Sequence, residues 1–97
     1  MTRPPFAALT GIGIAVPSQV VTNDDLSKSL DTNDEWIRER TGIRERRIAR
    51  ADESLTSLCH AASMAALDRA GLAVGDVDAI ICATVSGDRR MPSQACD

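Results

Sequence analysis

A nearly continuous apolar run, VDAIICATV at residues 77–85, limits what this chain can fold into more than any other feature. The run shows no alternation of apolar and polar positions, which is typical of a strand covered on both faces in a parallel sheet. Such a strand needs a neighbour on each edge and a layer on each face. A second apolar segment, residues 8–16, is predicted as a strand whose glycines let another backbone approach closely.

Two strands fall short of the five or so that an average sheet contains. A chain of 97 residues also has room for one hydrophobic core at most. The sequence therefore predicts an α/β chain with an unfinished sheet, in which residues 1–97 are a fragment of one larger domain. The alternative is a small, self-contained domain with two strands.

The clearest predicted helix covers residues 54–71, where apolar side chains recur at helical spacing and a glycine follows. Its apolar face carries leucines and alanines, and the small alanines allow the helix to lie close to a sheet. The members of this face are Leu55, Leu58, Ala62, Ala65 and Ala66.

Two shorter helices are predicted from their caps. Thr22 or Asn23 caps the first, and two aspartates follow in its first turn, where the helix dipole favours them. Thr32 or Asn33 caps the second, and Gly42 ends it. An extended or irregular stretch and the first turn of a further helix are predicted at residues 43–49 and 92–97.

Composition and charge argue against several classes of protein. The formal charge is −3 and aromatic residues make up 2% of the chain, so the arginines between residues 38 and 50 have no aromatic platform for a nucleic acid. No apolar run approaches the roughly 18 residues that span a bilayer. The first residues lack the apolar segment of a secretory signal. We therefore expect a cytoplasmic protein that binds neither nucleic acid nor membrane.

Three cysteines, Cys59, Cys82 and Cys96, have no metal-ligand spacing, and their odd number argues against a disulfide framework. Each is interpreted as a small buried hydrophobic residue. The single histidine, His60, falls off the apolar face of the long helix and is interpreted as a surface or semi-buried residue rather than a general base. No metal site is predicted.

The stretch DTNDEWIRERTGIRER, residues 31–46, places the one tryptophan of the chain among four arginines. On a helix, Trp36 and Arg40 are four residues apart and share a face. An indole offers a flat apolar surface to a nucleotide base, and a guanidinium can reach phosphate oxygens. For the tryptophan, a packing role at the edge of a core is the alternative.

Together with GIGIAVPSQVVTNDDL, AALDRAGL and ATVSGDRRMPSQAC, this block resembles the amino-terminal part of β-ketoacyl-acyl-carrier-protein synthase III, from about Leu9 to Cys96. The resemblance implies the thiolase fold, which has αβαβα layers in the complete enzyme and is incomplete in this chain. It implies condensation of an acyl-coenzyme A starter with malonyl-acyl-carrier protein, the step that starts fatty-acid chains. It also implies a homodimer, an acyl-carrier protein as partner, and no cofactor beyond the acyl-coenzyme A substrate.

The resemblance assigns roles to four residues. The tryptophan matching Trp36 stacks on the adenine of coenzyme A, and the residues matching Arg40 and Thr41 hold its nucleotide and pantetheine end. Met91 matches a position at the dimer interface that helps to set acyl length, with plain interface packing as the alternative. The other arginines are interpreted as a solvated face or as partners of nearby glutamates, with a docking surface for the acidic carrier protein as the alternative: Arg38, Arg44, Arg46, Arg47 and Arg50.

The catalytic cysteine, histidine and asparagine of the family have no counterpart in this sequence, because the resemblance places all three beyond Asp97. The 97-residue chain alone is therefore predicted to be inactive. Two alternatives stay open, a starter-unit ketosynthase of polyketide biosynthesis and a truncated, non-catalytic remnant that serves as an interaction module. The DNA downstream of Asp97 separates the remnant from the enzymes, because it either encodes the catalytic remainder or does not.

Overall fold

The computed structural model describes residues 6–91 and 93–96. These residues fall into two compact units. One unit is Val16–Ser54, and the other joins the described parts of Met1–Ala15 and Leu55–Asp97.

The unit Val16–Ser54 contains a two-stranded sheet and two short helices. Strand β1 pairs antiparallel with strand β2, with Gln19 opposite Ile48 and Thr22 opposite Glu45. The extended stretch expected at residues 43–49 is confirmed as β2, whereas β1 was not predicted. The elements in chain order are β1 (Gln19–Thr22), α1 (Asn23–Ser27), α2 (Asp34–Thr41) and β2 (Glu45–Ile48).

Both short helices begin at predicted caps, and α2 also ends at the predicted glycine. The Thr22 hydroxyl accepts a hydrogen bond from the Asp25 N–H at 3.1 Å, and the Asp25 carboxylate accepts one from the Thr22 N–H at 2.9 Å. This reciprocal pair is a capping box for α1. For α2, the Asn33 side chain accepts from the Trp36 N–H at 2.8 Å. Gly42 ends that helix in the left-handed region at φ 71°, which favours glycine.

In the second unit the long helix is confirmed as α3 (Leu55–Ala70), and Gly71 follows it at φ 70°. Its alanine face lies against the segment that carries Gly11 and Gly13. A Cβ added to Gly13 would lie 2.2 Å from the carbonyl oxygen of Ala62. The close backbone approach expected of these glycines is therefore confirmed, although it is to a helix.

The two strands predicted at residues 8–16 and 77–85 are wrong for this chain. Neither segment forms a strand in the described residues, where the sheet has the two strands β1 and β2 alone. An extended segment becomes a strand only when a neighbour pairs with its N–H and C=O groups, and neither segment has such a neighbour among the described residues. Ile81 is 95% exposed, so the apolar surface expected of an unfinished sheet is open.

Little of the described chain is buried. Ile37 of α2 is the buried hydrophobic side chain among the described residues, and Asn23 and Gln94 are the buried polar ones. Gln94 belongs to a single 3₁₀ turn, Gln94–Cys96, which stands where a further helix was expected to begin. The rest of that prediction, at Pro92 and Asp97, lies outside the described residues.

Candidate functional site

Helix α2 presents Trp36 and Arg40 together on its surface. Trp36 is 52% exposed. The guanidinium carbon of Arg40 lies 4.8 Å from the centroid of the indole ring, which is the geometry of a cation–π contact. The four-residue spacing therefore brings the two side chains together as predicted.

A buried amide, Asn23, holds both ends of α2. Its side-chain nitrogen donates to Asp34 Oδ1 in the first turn and to the carbonyl oxygen of Ile43 just past the end, each at 2.8 Å. Its side-chain oxygen accepts from Arg46 at 2.7 Å. Asn23 is 1% exposed, so these partners replace water. One buried side chain is thus bonded at both ends of α2.

Two arginines, Arg38 and Arg46, add hydrogen bonds to the network around Asn23. Arg38 donates from Nε to Asp34 Oδ2 at 2.8 Å, so its partner is an aspartate of its own helix rather than one of the nearby glutamates. Arg46 also donates to the carbonyl oxygen of Val21 at 3.2 Å, so it is a structural residue of β2 rather than part of a solvated face. The hydrogen bond from Asn23, and then the positive charge of Arg38, hold the pKa of Asp34 below its ordinary value.

Thr41 uses its hydroxyl to finish α2. The hydroxyl donates to the carbonyl oxygen of Ile37 at 2.7 Å and accepts from the N–H of Ile43 at 3.0 Å. Its proton is therefore committed within the helix end, and only an oxygen lone pair is left for a ligand. The predicted role of Thr41 at coenzyme A stays a prediction.

A groove of about 550 Å³ lies beside the indole, between the end of α1 and the start of α2. The Thr32 hydroxyl oxygen is buried there and has no hydrogen-bond partner among the described residues. Asn33 rather than Thr32 caps α2, so the Thr32 hydroxyl accepts no hydrogen bond from the N–H groups at the start of the helix. Most buried polar atoms in folded proteins have a hydrogen-bond partner, so this hydroxyl is an exception among the described residues. The groove is lined by Leu26, Leu30, Asp31, Thr32, Asn33, Trp36 and Ile37.

Met91 lies in the other unit, on the segment that follows the apolar run, and is 85% exposed. Hydrogen bonds of Asp88, Gln94 and Thr56 hold the chain segment on either side of Met91. Asp88 accepts from the N–H groups of Leu55 and Thr56 at 2.9 and 2.8 Å, so it caps α3 from a distant part of the chain. Gln94 accepts from the Asp88 N–H and donates to the Thr56 hydroxyl, both at 2.7 Å. The segment around Met91 is thereby tied to the start of α3, although the proposed acyl-length role of Met91 stays a prediction.

The Asp88 cap predicts a loss of stability in acid. Hydrogen bonds, first from the Thr56 hydroxyl, hold the pKa of Asp88 below its ordinary value of 3.8. Its contribution is therefore complete above that ordinary pKa and is lost as the pH falls through the lower pKa of the folded state. We expect Asp88→Asn to lower the thermal midpoint at neutral pH and to flatten its decline toward about pH 3. If the thermal midpoints of the parent and the variant fall in parallel as the pH is lowered, the assignment of Asp88 as the cap of α3 is wrong.

The setting of Cys59 opposes a reactive thiolate. Burial, and then the neighbouring Cys82, raise the pKa of the Cys59 thiol above its ordinary value. Cys59 and Cys82 are half-buried, so their predicted burial is only partial, and Cys82 lies in no strand. Cys96 is exposed, so its interpretation as a buried residue is wrong. His60 is exposed on α3, as predicted.

We expect all three cysteines to stay unmodified when the chain is incubated with labelled acetyl-coenzyme A at neutral pH. A thiol attacks a thioester as its thiolate, and the raised pKa of Cys59 opposes formation of that thiolate. The measurement is the mass of the intact chain before and after hydroxylamine treatment. Stoichiometric, hydroxylamine-sensitive label on Cys59, Cys82 or Cys96 would overturn this assignment.

Two further searches concern ligands and membranes. Residues 6–91 and 93–96 contain no group of three or more metal-ligating side chains placed to hold an ion. Within the same residues, each helix is too short or too polar to cross a membrane.

The curated relatives and the solved structures that are similar to this chain include enzymes of the same name. No protein-family model matches the sequence. The β-ketoacyl-[acyl-carrier-protein] synthase III of Roseiflexus castenholzii is 54% identical over 91 residues, which are 94% of this chain and 28% of that protein. The crystal structure of 3-oxoacyl-[acyl-carrier-protein] synthase III from Aquifex aeolicus superposes with a TM-score of 0.85 and 47% identity, over 90% of this chain and 28% of the other.

A polyketide enzyme is also similar. The priming β-ketosynthase of the R1128 polyketide biosynthetic pathway superposes with a TM-score of 0.69 and 40% identity, over 72% of this chain and 21% of the other. The chain spans about 28% of the length of the curated relatives it matches. The expected fold class is confirmed, since the solved neighbours are thiolase-like and the described residues form a partial α/β segment of them. In sequence and in fold, this chain thus matches a segment of the β-ketoacyl-[acyl-carrier-protein] synthase III family, as the tryptophan–arginine block had indicated.

Proposed function

We propose that this chain is a segment of an enzyme that condenses an acyl-coenzyme A starter with malonyl-acyl-carrier protein to begin a fatty-acid chain. The observation that carries the proposal is the 54% identity to a β-ketoacyl-[acyl-carrier-protein] synthase III across nearly the whole chain. In this reaction a cysteine thiolate attacks the thioester carbonyl to form the acyl-enzyme, and coenzyme A leaves as a thiolate that takes up a proton from solvent. Malonyl-carrier protein then loses carbon dioxide, and its carbanion attacks the acyl-enzyme and releases the thiolate.

The catalytic cysteine of this enzyme is none of the three present here. Burial raises the pKa of the Cys59 thiol and opposes its thiolate, and the family resemblance places the nucleophile beyond Asp97. The contribution of this segment is to substrate binding, and the remainder of the enzyme supplies the chemistry.

Helix α2 is the part of the segment that binds coenzyme A in this proposal. The half-exposed indole of Trp36 offers a face to the adenine, and Arg40 places a cation beside it for the phosphates. Thr41 supplies an acceptor at the end of the helix. Support comes from the rigid seating of α2, whose two ends are both bonded to the buried Asn23.

In the full-length natural enzyme that carries this segment, Trp36→Ala and Arg40→Ala should each raise the KM for acyl-coenzyme A. About tenfold is expected if roughly 1.4 kcal/mol of ground-state binding is lost. The turnover number should change much less, because these groups bind the nucleotide end rather than the reacting thioester. Initial-rate measurements over a range of acyl-coenzyme A concentrations give both constants.

Glu35→Ala is the matched control, because it changes an exposed side chain on the same helix. Its KM for acyl-coenzyme A should equal that of the parent. If Trp36→Ala leaves the KM untouched and lowers the thermal midpoint instead, the indole is a packing residue and the coenzyme A assignment fails.

The proposal extends to assembly and location. The enzyme is a homodimer in the cytoplasm, and its carrier-protein partner is acyl-carrier protein. Met91 supports the dimer, because a flexible apolar side chain that is 85% exposed is suited to packing against a second subunit. At that interface the size of the side chain at position 91 determines how long an acyl group the pocket of the partner subunit accepts.

A polyketide starter enzyme is the second candidate, and the similarity to the R1128 priming β-ketosynthase favours it. Both candidates use the same reaction and differ in the starter acyl group. Rates with acetyl-coenzyme A and with longer or branched acyl-coenzyme A thioesters separate them. A marked preference for acetyl supports fatty-acid initiation, and a preference for a larger starter supports polyketide priming.

A further inference from the structure

The segment that carries Met91 is closed by the side chain of Gln94. Three residues before Met91, the backbone N–H of Asp88 donates to Gln94 Oε1 at 2.7 Å. Residues 83–91 are exposed, whereas Gln94, three residues after Met91, is buried. A buried amide whose hydrogen bonds are made resists displacement, because breaking those bonds leaves polar atoms without partners. The exposed side chain of Met91 is therefore carried by a segment that is held on both sides.

The same amide bonds this segment to helix α3. Gln94 Nε2 donates to the Thr56 hydroxyl oxygen, and that hydroxyl donates to Asp88 Oδ2, each at 2.7 Å. The Asp88 carboxylate also accepts from the N–H groups of Leu55 and Thr56 at the start of the helix. Asp88, Gln94 and Thr56 thus form a closed ring of hydrogen bonds, in which the loss of one side chain weakens the bonds of the other two.

The backbone before Asp88 lies close to the Gln94 amide. A Cβ added to Gly87 would lie 3.2 Å from Gln94 Oε1, which is tighter than ordinary van der Waals contact. The segment therefore follows the position of this amide from Gly87 onward, and a shift of Gln94 would shift the backbone that leads to Met91.

We infer that Gln94 is a positioning residue for Met91, so that the hydrogen-bonded ring of Asp88, Gln94 and Thr56 determines how strictly the enzyme selects its starter by acyl length. This inference rests on the proposed function, since it concerns the acyl pocket to which Met91 is assigned there. A methionine side chain is unbranched and flexible, so the place where it ends depends on how firmly its backbone is held. A misplacement of about 1 Å in a group that shapes a reaction site is enough to change the rate.

The experiment measures acyl selectivity in the full-length natural enzyme. Initial rates give kcat/KM for acetyl-coenzyme A and for hexanoyl-coenzyme A, and the ratio of the two values is the readout. Gln94→Met removes both hydrogen bonds of the amide with little change in side-chain length, and it leaves Asp88 in place to cap α3. Thr56→Val removes the hydroxyl of the ring, and Thr56→Ser is its matched control, because it keeps a hydroxyl. His60→Ala is a second control, since it changes an exposed side chain of the same helix.

We expect the ratio to shift toward unity by about fivefold in Gln94→Met and in Thr56→Val. An apolar pocket discriminates by about 10- to 200-fold for each methylene, so a loosened Met91 has selectivity to lose. Thr56→Ser and His60→Ala should keep the ratio of the parent. A substitution that only destabilises the fold lowers the rates with both thioesters by the same factor, and so leaves the ratio unchanged.

Met91→Ala, measured beside these variants, separates the inference from the proposed function. If Met91→Ala shifts the ratio while Gln94→Met and Thr56→Val keep it, the inference is wrong and the proposed role of Met91 stands. An equal shift in Thr56→Ser and Thr56→Val also overturns the inference, because the hydroxyl is then not what matters. If Met91→Ala itself keeps the ratio of the parent, the proposed role of Met91 fails, and the inference fails with it.

Discussion

Gly13→Ala is expected to destabilise this fold by at least about 2 kcal/mol, because the added methyl group has no space. A Cβ at this position would lie 2.2 Å from the carbonyl oxygen of Ala62, 2.5 Å from the N–H nitrogen of Ala66 and 2.9 Å from the Ala65 Cβ. Two of these are backbone atoms of α3, which cannot rotate away as a flexible side chain could. The clash is relieved only if the segment that carries Gly13 moves away from α3. That movement removes the packing of the segment against the alanine face of the helix.

The measurement is the midpoint of thermal unfolding of the full-length natural protein. Gly75→Ala is the matched control, because a Cβ at Gly75 meets nothing within 4 Å and its φ lies outside the left-handed region. That substitution should be neutral or slightly stabilising, since it restricts the unfolded chain without a clash. Equal midpoints for Gly13→Ala and Gly75→Ala would show that the segment does not lie against α3 in solution.

Asn23→Ala is expected to cost about 3 kcal/mol, which is large for the loss of one side chain. Asn23 is 1% exposed and makes three hydrogen bonds, two of them to the charged groups of Asp34 and Arg46. Hydrogen bonds to charged groups contribute roughly 1.5–3 kcal/mol each, more than neutral ones. Their loss also frees both ends of α2, so indole positioning should fail together with stability.

Asn33→Ala provides the comparison, because it removes the same amide from an exposed site with one hydrogen bond, to the Trp36 N–H. The loss of such a cap costs about 1 kcal/mol. Denaturant unfolding of the two variants should therefore show a clearly larger loss for Asn23→Ala. A loss no greater than that of Asn33→Ala would mean that water replaces the buried network at little cost.

The helices of this protein could be predicted because their signals act over one turn. Thr22, Asn33 and Gly42 stand where the structure caps or ends α1 and α2. A capping side chain bonds to an N–H group two or three residues away, so its partner is always present in the local sequence. The same holds for Trp36 and Arg40, whose four-residue spacing on a helix is enough to bring the two side chains together.

The pairing of strands could not be predicted in this way. The apolar runs at residues 8–16 and 77–85 have the composition of buried strands, yet neither is paired in the described residues. The hydrophobic pattern of a segment indicates whether its side chains are suited to burial. Whether the segment forms a strand depends on which other segment is available to pair with its backbone. The short segment Gln19–Thr22 has a weaker pattern and is a strand, because β2 lies beside it.

The sequence by itself determined the caps, the helix that carries the indole, and the family whose segment this chain matches. Only the tertiary structure decided what holds that helix in place. The partners of Asn23 lie 11, 20 and 23 residues away along the chain, at Asp34, Ile43 and Arg46. The Asp88 cap on α3 likewise spans 32 and 33 residues. Contacts of this range depend on how the chain folds back on itself, and an asparagine or an aspartate carries no local pattern that names a partner so far away.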